Sequence, residues 1–376
     1  MKSNRSFMSA ARITVAVGAL IVLGACSAGP PGGAGEILDS DVSAAQASVA
    51  RYEAVPEAPS DLTAFEPVTS KRIGIMSCGE NITSCQKLSS AAKAAVEDLG
   101  WQAVMYDGTQ DTSKWGAGID LFIQNKVDAI VKLVNPDNAM PNAMDDAAAA
   151  GIPVFCGVCG NTNEKTVAHP SIGNADSDYG EQGEAVAAWV IADSGGSAKV
   201  LGINNVLATP VKLRHEKIVE AINACSGCEL LEDTNVTQDA NIYDKLRSFT
   251  TAKLSAYPTG SLNYIVPQTD ALFDPLRQSL EATGRDDVTV AGFDCDEISM
   301  SSIRDGGVQG ACADTPLEWL SYAIVDQAAR HLSGQSTSDV LVPFQLFTSN
   351  NVPAEGISKI GFDYRSYYLQ FWGRQG

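Results

Sequence analysis

The chain has 376 residues and carries 45 acidic against 26 basic side chains, a formal net charge of −19. So acidic a chain repels a phosphate backbone, which excludes nucleic acid as its natural partner. Its length can bury a large core and predicts two lobes of ordinary domain size.

The chain opens with Lys2, Arg5 and Arg12 ahead of an apolar run over 13–23. This pattern reads as a signal peptide over residues 1–25. The 11 apolar residues fall short of the roughly 20 that a helix needs to cross a bilayer core. Leu23-Gly24-Ala25-Cys26 resembles the bacterial lipobox. The resemblance implies that Cys26 becomes the lipidated first residue of an exported protein held at the outer face of the cell membrane. Gly and Pro follow Cys26, so residues 26–69 read as a flexible tether. A short helix fits at 39–52, but Pro56, Pro59 and Pro67 delay the first strand to about Lys71.

From there short β-branched runs alternate with longer amphipathic ones, the signature of βαβ units around parallel sheets. Strands are expected at 73–76, 103–106, 128–134 and 152–155, with helices at 88–99, 115–124 and 140–150. A crossing at 167–172 leads to a second lobe. There helices at 179–193, 211–224, 242–256 and 272–283 alternate with strands at 199–203, 229–234, 262–266, 288–293 and 308–313. A long helix over 317–332 returns to the first lobe, and the aromatic tail caps the second. The expected fold class is α/β, with two doubly wound parallel-sheet lobes. The first lobe takes 70–175 plus 315–340, and the second takes 176–314 plus 341–376.

With Cys26 assigned to lipid, eight cysteines remain in an oxidising compartment, an even number that implies disulfides. Eight cysteines allow 105 connectivities. Three close pairs and one residual pair at neighbouring strand ends make Cys78–Cys85, Cys156–Cys159, Cys225–Cys228 and Cys295–Cys312 the simplest set. The Cys156-Gly157-Val158-Cys159 run could also serve as a redox dithiol, but Gly160-Asn161-Thr162-Asn163 after it is loop chemistry rather than a helix start. The two CxxC pairs stand too far apart for a zinc ribbon, whose pairs are about 15–20 residues apart.

Several runs resemble the type I periplasmic binding proteins of the ribose-binding-like group. They are Ile73-Gly-Ile-Met-Ser, Val127-Asp-Ala-Ile-Val, Asn135-Pro-Asp, Ala150-Gly-Ile-Pro-Val, Gln268-Thr-Asp and Val290-Ala-Gly-Phe-Asp, spread over about 71–334. Sugar repressors share the fold, but they need an N-terminal helix-turn-helix where this chain has a signal peptide. The resemblance implies two lobes joined by three hinge crossings, with a small-molecule solute bound between them, sugar-like or a polyol, and delivered to an ABC permease by a monomer that is no enzyme and needs no cofactor. The cleft beyond the carboxyl ends of the strands is also where open α/β sheets bind ligands on physical grounds.

The resemblance points to Ser77, Asn81, Asn135, Lys212, Thr269, Asp294 and Asp314 as ligand-binding, with Arg214 able to replace Lys212. Carboxylates, amides and a cation together can satisfy a hydroxylated solute. Phe155 and Phe293 are the aromatic candidates for a sugar face, with Trp115, Tyr179 and Trp319 behind them. Two departures weigh against an ordinary hexose or pentose. Val158-Cys159 stands where ribose-type binders carry Asp-Arg, and Thr83-Ser84 replaces paired aromatics. A nucleoside, aromatic or less polar solute is the alternative. A sensor lipoprotein reporting to a membrane receptor is the alternative role. An enzyme is disfavoured, since His169, His215 and His331 lack metal spacing and no G-x-S-x-G or H-E-x-x-H motif occurs. No metal site is expected.

Overall fold

The computed structural model describes residues 34–57, 62–160, 167–205, 208–237, 239, 241–356 and 363–374. The signal peptide expected at 1–25 and the lipidation expected at Cys26 lie outside the described residues. In chain order the elements run α1 (Ala34–Glu53), β1 (Arg72–Ser77), α2 (Thr83–Asp98), β2 (Gln102–Asp107), α3 (Thr112–Gln124), β3 (Ala129–Leu133), α4 (Pro141–Ala149), β4 (Val154–Gly157) and β5 (Gly173–Asp176). They continue α5 (Tyr179–Asp193), β6 (Lys199–Asn204), α6 (Thr209–Ala224), β7 (Glu229–Asn235), α7 (Ile242–Ala256), β8 (Tyr264–Val266), α8 (Phe273–Thr283), β9 (Thr289–Phe293) and α9 (Glu297–Arg304). The last are β10 (Gln309–Asp314), α10 (Leu317–Leu332), β11 (Val340–Leu341), β12 (Gln345–Thr348) and α11 (Tyr364–Phe371).

These strands form two six-stranded sheets, ordered β11-β5-β4-β3-β1-β2 and β12-β10-β9-β8-β6-β7. Every pairing is parallel except β10 with β12. β1 and β3 are buried along nearly their whole length because helices cover both faces of the sheet, which is why they read as continuous apolar runs. The chain passes between the lobes after β5, between β10 and α10, and between β11 and β12. The doubly wound two-lobed fold is as expected.

Three placements differ from the sequence reading. The crossing expected at 167–172 comes after β5, because Gly173-Asn174-Ala175-Asp176 adds a buried strand to the first sheet without any β-branched residue to announce it. The short helix expected at 39–52 forms as α1 over 34–53, but instead of lying free in a tether it packs on α5 and β12 of the second lobe. Its Leu38, Val42, Ala45, Val49 and Tyr52 recur at three- and four-residue steps, an apolar stripe that needs a partner surface. Ala45 and Tyr52 are buried in that lobe's core, and Glu53 takes hydrogen bonds from Gln345 and Asn351. The tail also divides. β12 completes the second sheet, but α11 returns to the first lobe, where Tyr368 and Trp372 pack against Tyr322 and the Trp372 indole donates to Asp326 at 2.8 Å.

Candidate functional site

The carboxyl ends of both sheets converge on one cavity of about 90 Å³ between the lobes. At roughly 10–15 Å³ per water-sized occupant, it admits several waters or part of a small solute. Residues just beyond β1, β2, β3 and β4 (Cys78, Gln110, Val134, Val158) meet residues just beyond β6, β8 and β9 (Asn205, Thr269, Asp294). α6 adds Pro210, Val211 and Arg214, and α2, α3 and α10 add Ile82, Ser84, Cys85, Leu88, Thr112, Trp115 and Leu317.

The polar centre is Arg214, which is 3% exposed. Its Nε donates to Gln182 at 2.8 Å, and its Nη2 donates to Asp294 at 2.7 Å and to the Thr315 hydroxyl. Among the described residues its Nη1 has no acceptor. The guanidinium lies over Phe293 at 4.7 Å and Tyr179 at 5.4 Å, a cation–π sandwich that fixes its plane. Gly183 permits this placement, because a Cβ there would strike the Arg214 backbone and push α6 off α5.

Asp294 sits beyond β9 with φ 74°, a left-handed conformation that Asp tolerates better than most residues. The Cys295–Cys312 disulfide ties this turn to β10. Thr269 donates to Asp294 at 2.8 Å. Burial pushes the Asp294 carboxyl up, but the Arg214 charge, with hydrogen bonds from Arg214, Thr315 and Thr269, outweighs it and holds the group below its ordinary value. The carboxylate is therefore ionised at neutral pH. Its remaining lone pairs, with Nη1 of Arg214, give a solute hydroxyl both donors and acceptors.

The two lobes touch directly. Lys87 on α2 pairs with Asp296 at the start of α9 at 2.5 Å, and Cys78, Ile82 and Cys85 join a hydrophobic cluster built mainly by the second lobe.

Of the residues expected at the ligand, Thr269 and Asp294 line the cavity. Ser77 is buried at the end of β1 and accepts from Gly79, Asn81 is exposed, and Asp314 is buried at the end of β10; none is among the lining residues. Asn135 is fully buried with neither amide atom partnered, next to Val134 but not itself lining. Lys212 faces solvent beside Glu216 at 3.7 Å, and Arg214 occupies the place expected of it. Helix periodicity explains this, since positions two apart on a helix face different ways. Phe155 is a core residue against His331, and Phe293 spends its face on Arg214. Trp115 lines the cavity, whereas Trp319 belongs to the core. The structure joins Cys78 to Cys85, Cys156 to Cys159, Cys225 to Cys228 and Cys295 to Cys312. The three histidines are not among the lining residues. Among the described residues the one grouping of metal-ligand atoms, Asp270 with Cys295 and Cys312, has its sulfurs joined in a disulfide.

Sequence reasoning missed Ile82, Leu88 and Val134 of the first lobe, because apolar residues carry no signal that separates a cleft wall from a core, whereas Val158 stood out as the departure from the Asp-Arg pair.

Comparison with known proteins agrees with this architecture. The family described as "Periplasmic binding protein domain" matches residues 73–336. The ribose import binding protein of Bacillus subtilis is 24% identical over 270 residues, 69% of this chain and 82% of that protein. The D-apiose import binding protein of Actinobacillus succinogenes is 23% identical over 249 residues, 66% of this chain and 78% of that one. An ABC transporter solute-binding protein from Agrobacterium vitis, solved with bound allitol, superposes with a TM-score of 0.68 at 25% identity, covering 75% of this chain and 97% of its own. The sequence motifs, the two doubly wound lobes and the family match agree: the chain belongs to the periplasmic binding proteins of type I, which bind small-molecule solutes.

Proposed function

We propose that this protein is an extracytoplasmic solute-binding lipoprotein that captures a small sugar-like or polyol solute between its lobes and delivers it, as a monomer, to an ABC permease. The observation that carries this reading is the buried set of Arg214, Asp294 and Thr269 at an interlobe cavity, a charged cluster with hydrogen-bonding capacity to spare. Buried polar groups are normally paired, and a hydroxylated solute completes such a set while gaining selectivity from it. Lobe closure removes the solute from water and creates a surface that a permease can tell from the open form. The lipobox-like Leu23-Gly24-Ala25-Cys26 supports an anchor at the membrane. Among the described residues no helix is long and apolar enough to cross a membrane.

A thermal-shift screen against sugars, polyols and nucleosides tests the reading. A solute at 100 times its Kd stabilises by about 2.7 kcal/mol. A true solute loses most of its affinity in Arg214→Met and Asp294→Ala. Unchanged binding in both variants places the site elsewhere. Cys26→Ser is expected to move the exported protein from the membrane fraction to the soluble one, and no change in fractionation overturns the anchor.

A further inference from the structure

The cavity's two walls differ in chemistry. The second lobe presents the polar groups Asn205, Arg214, Thr269 and Asp294, with Ala208, Pro210 and Val211 beside them at the start of α6. The buried part of the first lobe's wall is made by Ile82, Leu88, Trp115, Val158 and the Cys78–Cys85 disulfide.

The polar groups on that apolar wall are already used or lie at its edge. The Trp115 indole N–H donates to Gly108 at 3.2 Å, so the ring alone is left to face a ligand. The Gln110 amide nitrogen donates to the Cys78 carbonyl at 3.1 Å and lies 3.3 Å from Cys85 Sγ. Thr112 is exposed and Ser84 half-buried, which puts both at the rim.

Val158 is held in place against its own preference. Its φ of 59° is left-handed, a conformation that β-branched residues rarely adopt. Closure of the Cys156–Cys159 disulfide on either side and its backbone N–H bond to Ala175 at 2.8 Å fix it there. Residues kept in sparsely populated backbone regions are over-determined by their surroundings and cluster at ligand sites. Here the fixed side chain is an isopropyl group on the cavity wall.

A ring with hydroxyls all round would bury several of them against this wall without partners, which is unfavourable for each one. A solute with hydroxyls on one edge and an apolar group on the other meets both walls. Resting on the reading of this cleft as a solute site, we propose that the preferred solute is amphipathic: a hydroxylated sugar or polyol carrying a deoxy, alkyl or thioether substituent. Its hydroxyls face Arg214, Asp294, Thr269 and Asn205. Its apolar end packs on Trp115, Val158 and the Cys78–Cys85 disulfide.

The test is calorimetric titration of the purified protein with matched pairs. Each pentose or hexose is compared with its terminal deoxy and S-alkylthio counterparts. In at least one pair the apolar counterpart is expected to bind tenfold or more tighter than the parent. Val158→Thr keeps the β-branched shape and adds a hydroxyl to the wall, so it should cut that preference at least threefold. Unfolding midpoints report whether the variant folds. If every parent sugar binds tighter than its counterparts, or if Val158→Thr leaves the preference unchanged, the amphipathic assignment is overturned while the solute site stands. If no compound of either series binds, the solute reading itself fails and takes this inference with it.

Discussion

Replacing Arg214 by Met removes one partner of a buried ion pair while keeping most of the side chain's bulk. Arg214 and Asp294 side chains are 4% and 8% exposed and meet at 2.7 Å, so solvent cannot take over the lost contact. Breaking such a pair from one side costs about 3–5 kcal/mol, because a buried charge is left without compensation. The pH dependence separates this mechanism from simple loss of packing. In the wild type the Asp294 carboxyl is held below its ordinary value, so its contribution to stability is present above the unfolded pKa of about 3.9 and is lost as pH falls through the lower folded value. Without Arg214, burial dominates and drives the carboxyl above the unfolded value. The variant then binds a proton more readily folded than unfolded, and its deficit relative to wild type shrinks as pH falls from 7 to 5. Adding Asp294→Asn removes the stranded charge and should recover most of the loss at pH 7. Urea unfolding at both pH values, extrapolated to zero denaturant, measures this. A deficit under about 1 kcal/mol, or one equal at pH 7 and pH 5 and not relieved in the double variant, refutes the reasoning.

Tyr52→Ala on α1 is expected to cost about 2–4 kcal/mol by chemical denaturation, since it deletes a buried ring stacked on Phe344 at 5.4 Å. Cys295→Ser with Cys312→Ser opens a loop with a sequence separation of 17 and should cost about 3 kcal/mol in the chain-entropy account. The same change frees the turn that carries Asp294, so calorimetry should show weaker solute binding as well. Asp137→Asn leaves the fully buried Lys132 without its carboxylate partner at 2.6 Å, and a loss of about 3–5 kcal/mol is expected at neutral pH in urea unfolding. Burial pushes Asp137 up, but Lys132 and hydrogen bonds from Ser171 hold its carboxyl below the ordinary value, so the wild type's advantage over Asp137→Asn should fade in acid as that carboxylate is protonated. Lys87→Met removes the ion pair across the cleft, whose side chains are 21% and 11% exposed, and should weaken solute binding by about 1 kcal/mol, or about fivefold, in calorimetry.

Much of the fold was legible because its strands and helices have different periods. β3 is buried at every position and α10 along most of its length, and both read clearly in the sequence. What escaped lacked periodic contrast or lay where composition misled. β5 is Gly-Asn-Ala-Asp, held by its neighbour β4 and by Asp339, which accepts from Asn174 at 2.9 Å. The helix α1 was legible at 39–52, but the Gly/Pro run before it and the prolines after it disguised its docking on the second lobe. At the site, Thr269 and Asp294 came from the resemblance carried by Gln268-Thr-Asp and Val290-Ala-Gly-Phe-Asp, and both line the cavity. Arg214 was separable from Lys212 only through the α5–α6 packing at Gly183, which no linear pattern reports.

The polar set also implies an order of events. Gln182, Arg214, Thr269 and Asp294 all belong to the second lobe and hold one another without the first, Thr315 at the crossing apart. On the proposed capture by lobe closure, the recognition surface is therefore assembled before closure, and a solute would meet it in the open form at little reorganisation cost. The first lobe then adds the apolar wall and the Lys87–Asp296 pair, both of which act only once the cleft is shut. On that proposal, capture is set by the second lobe and residence by the first. In stopped-flow binding, Lys87→Met should accelerate solute release about fivefold and leave the association rate within a factor of two, as expected when a contact forms after encounter. Arg214→Met should lose the initial encounter complex. If Lys87→Met instead slows association and leaves release unchanged, the closure pair acts before capture and this order of events is wrong.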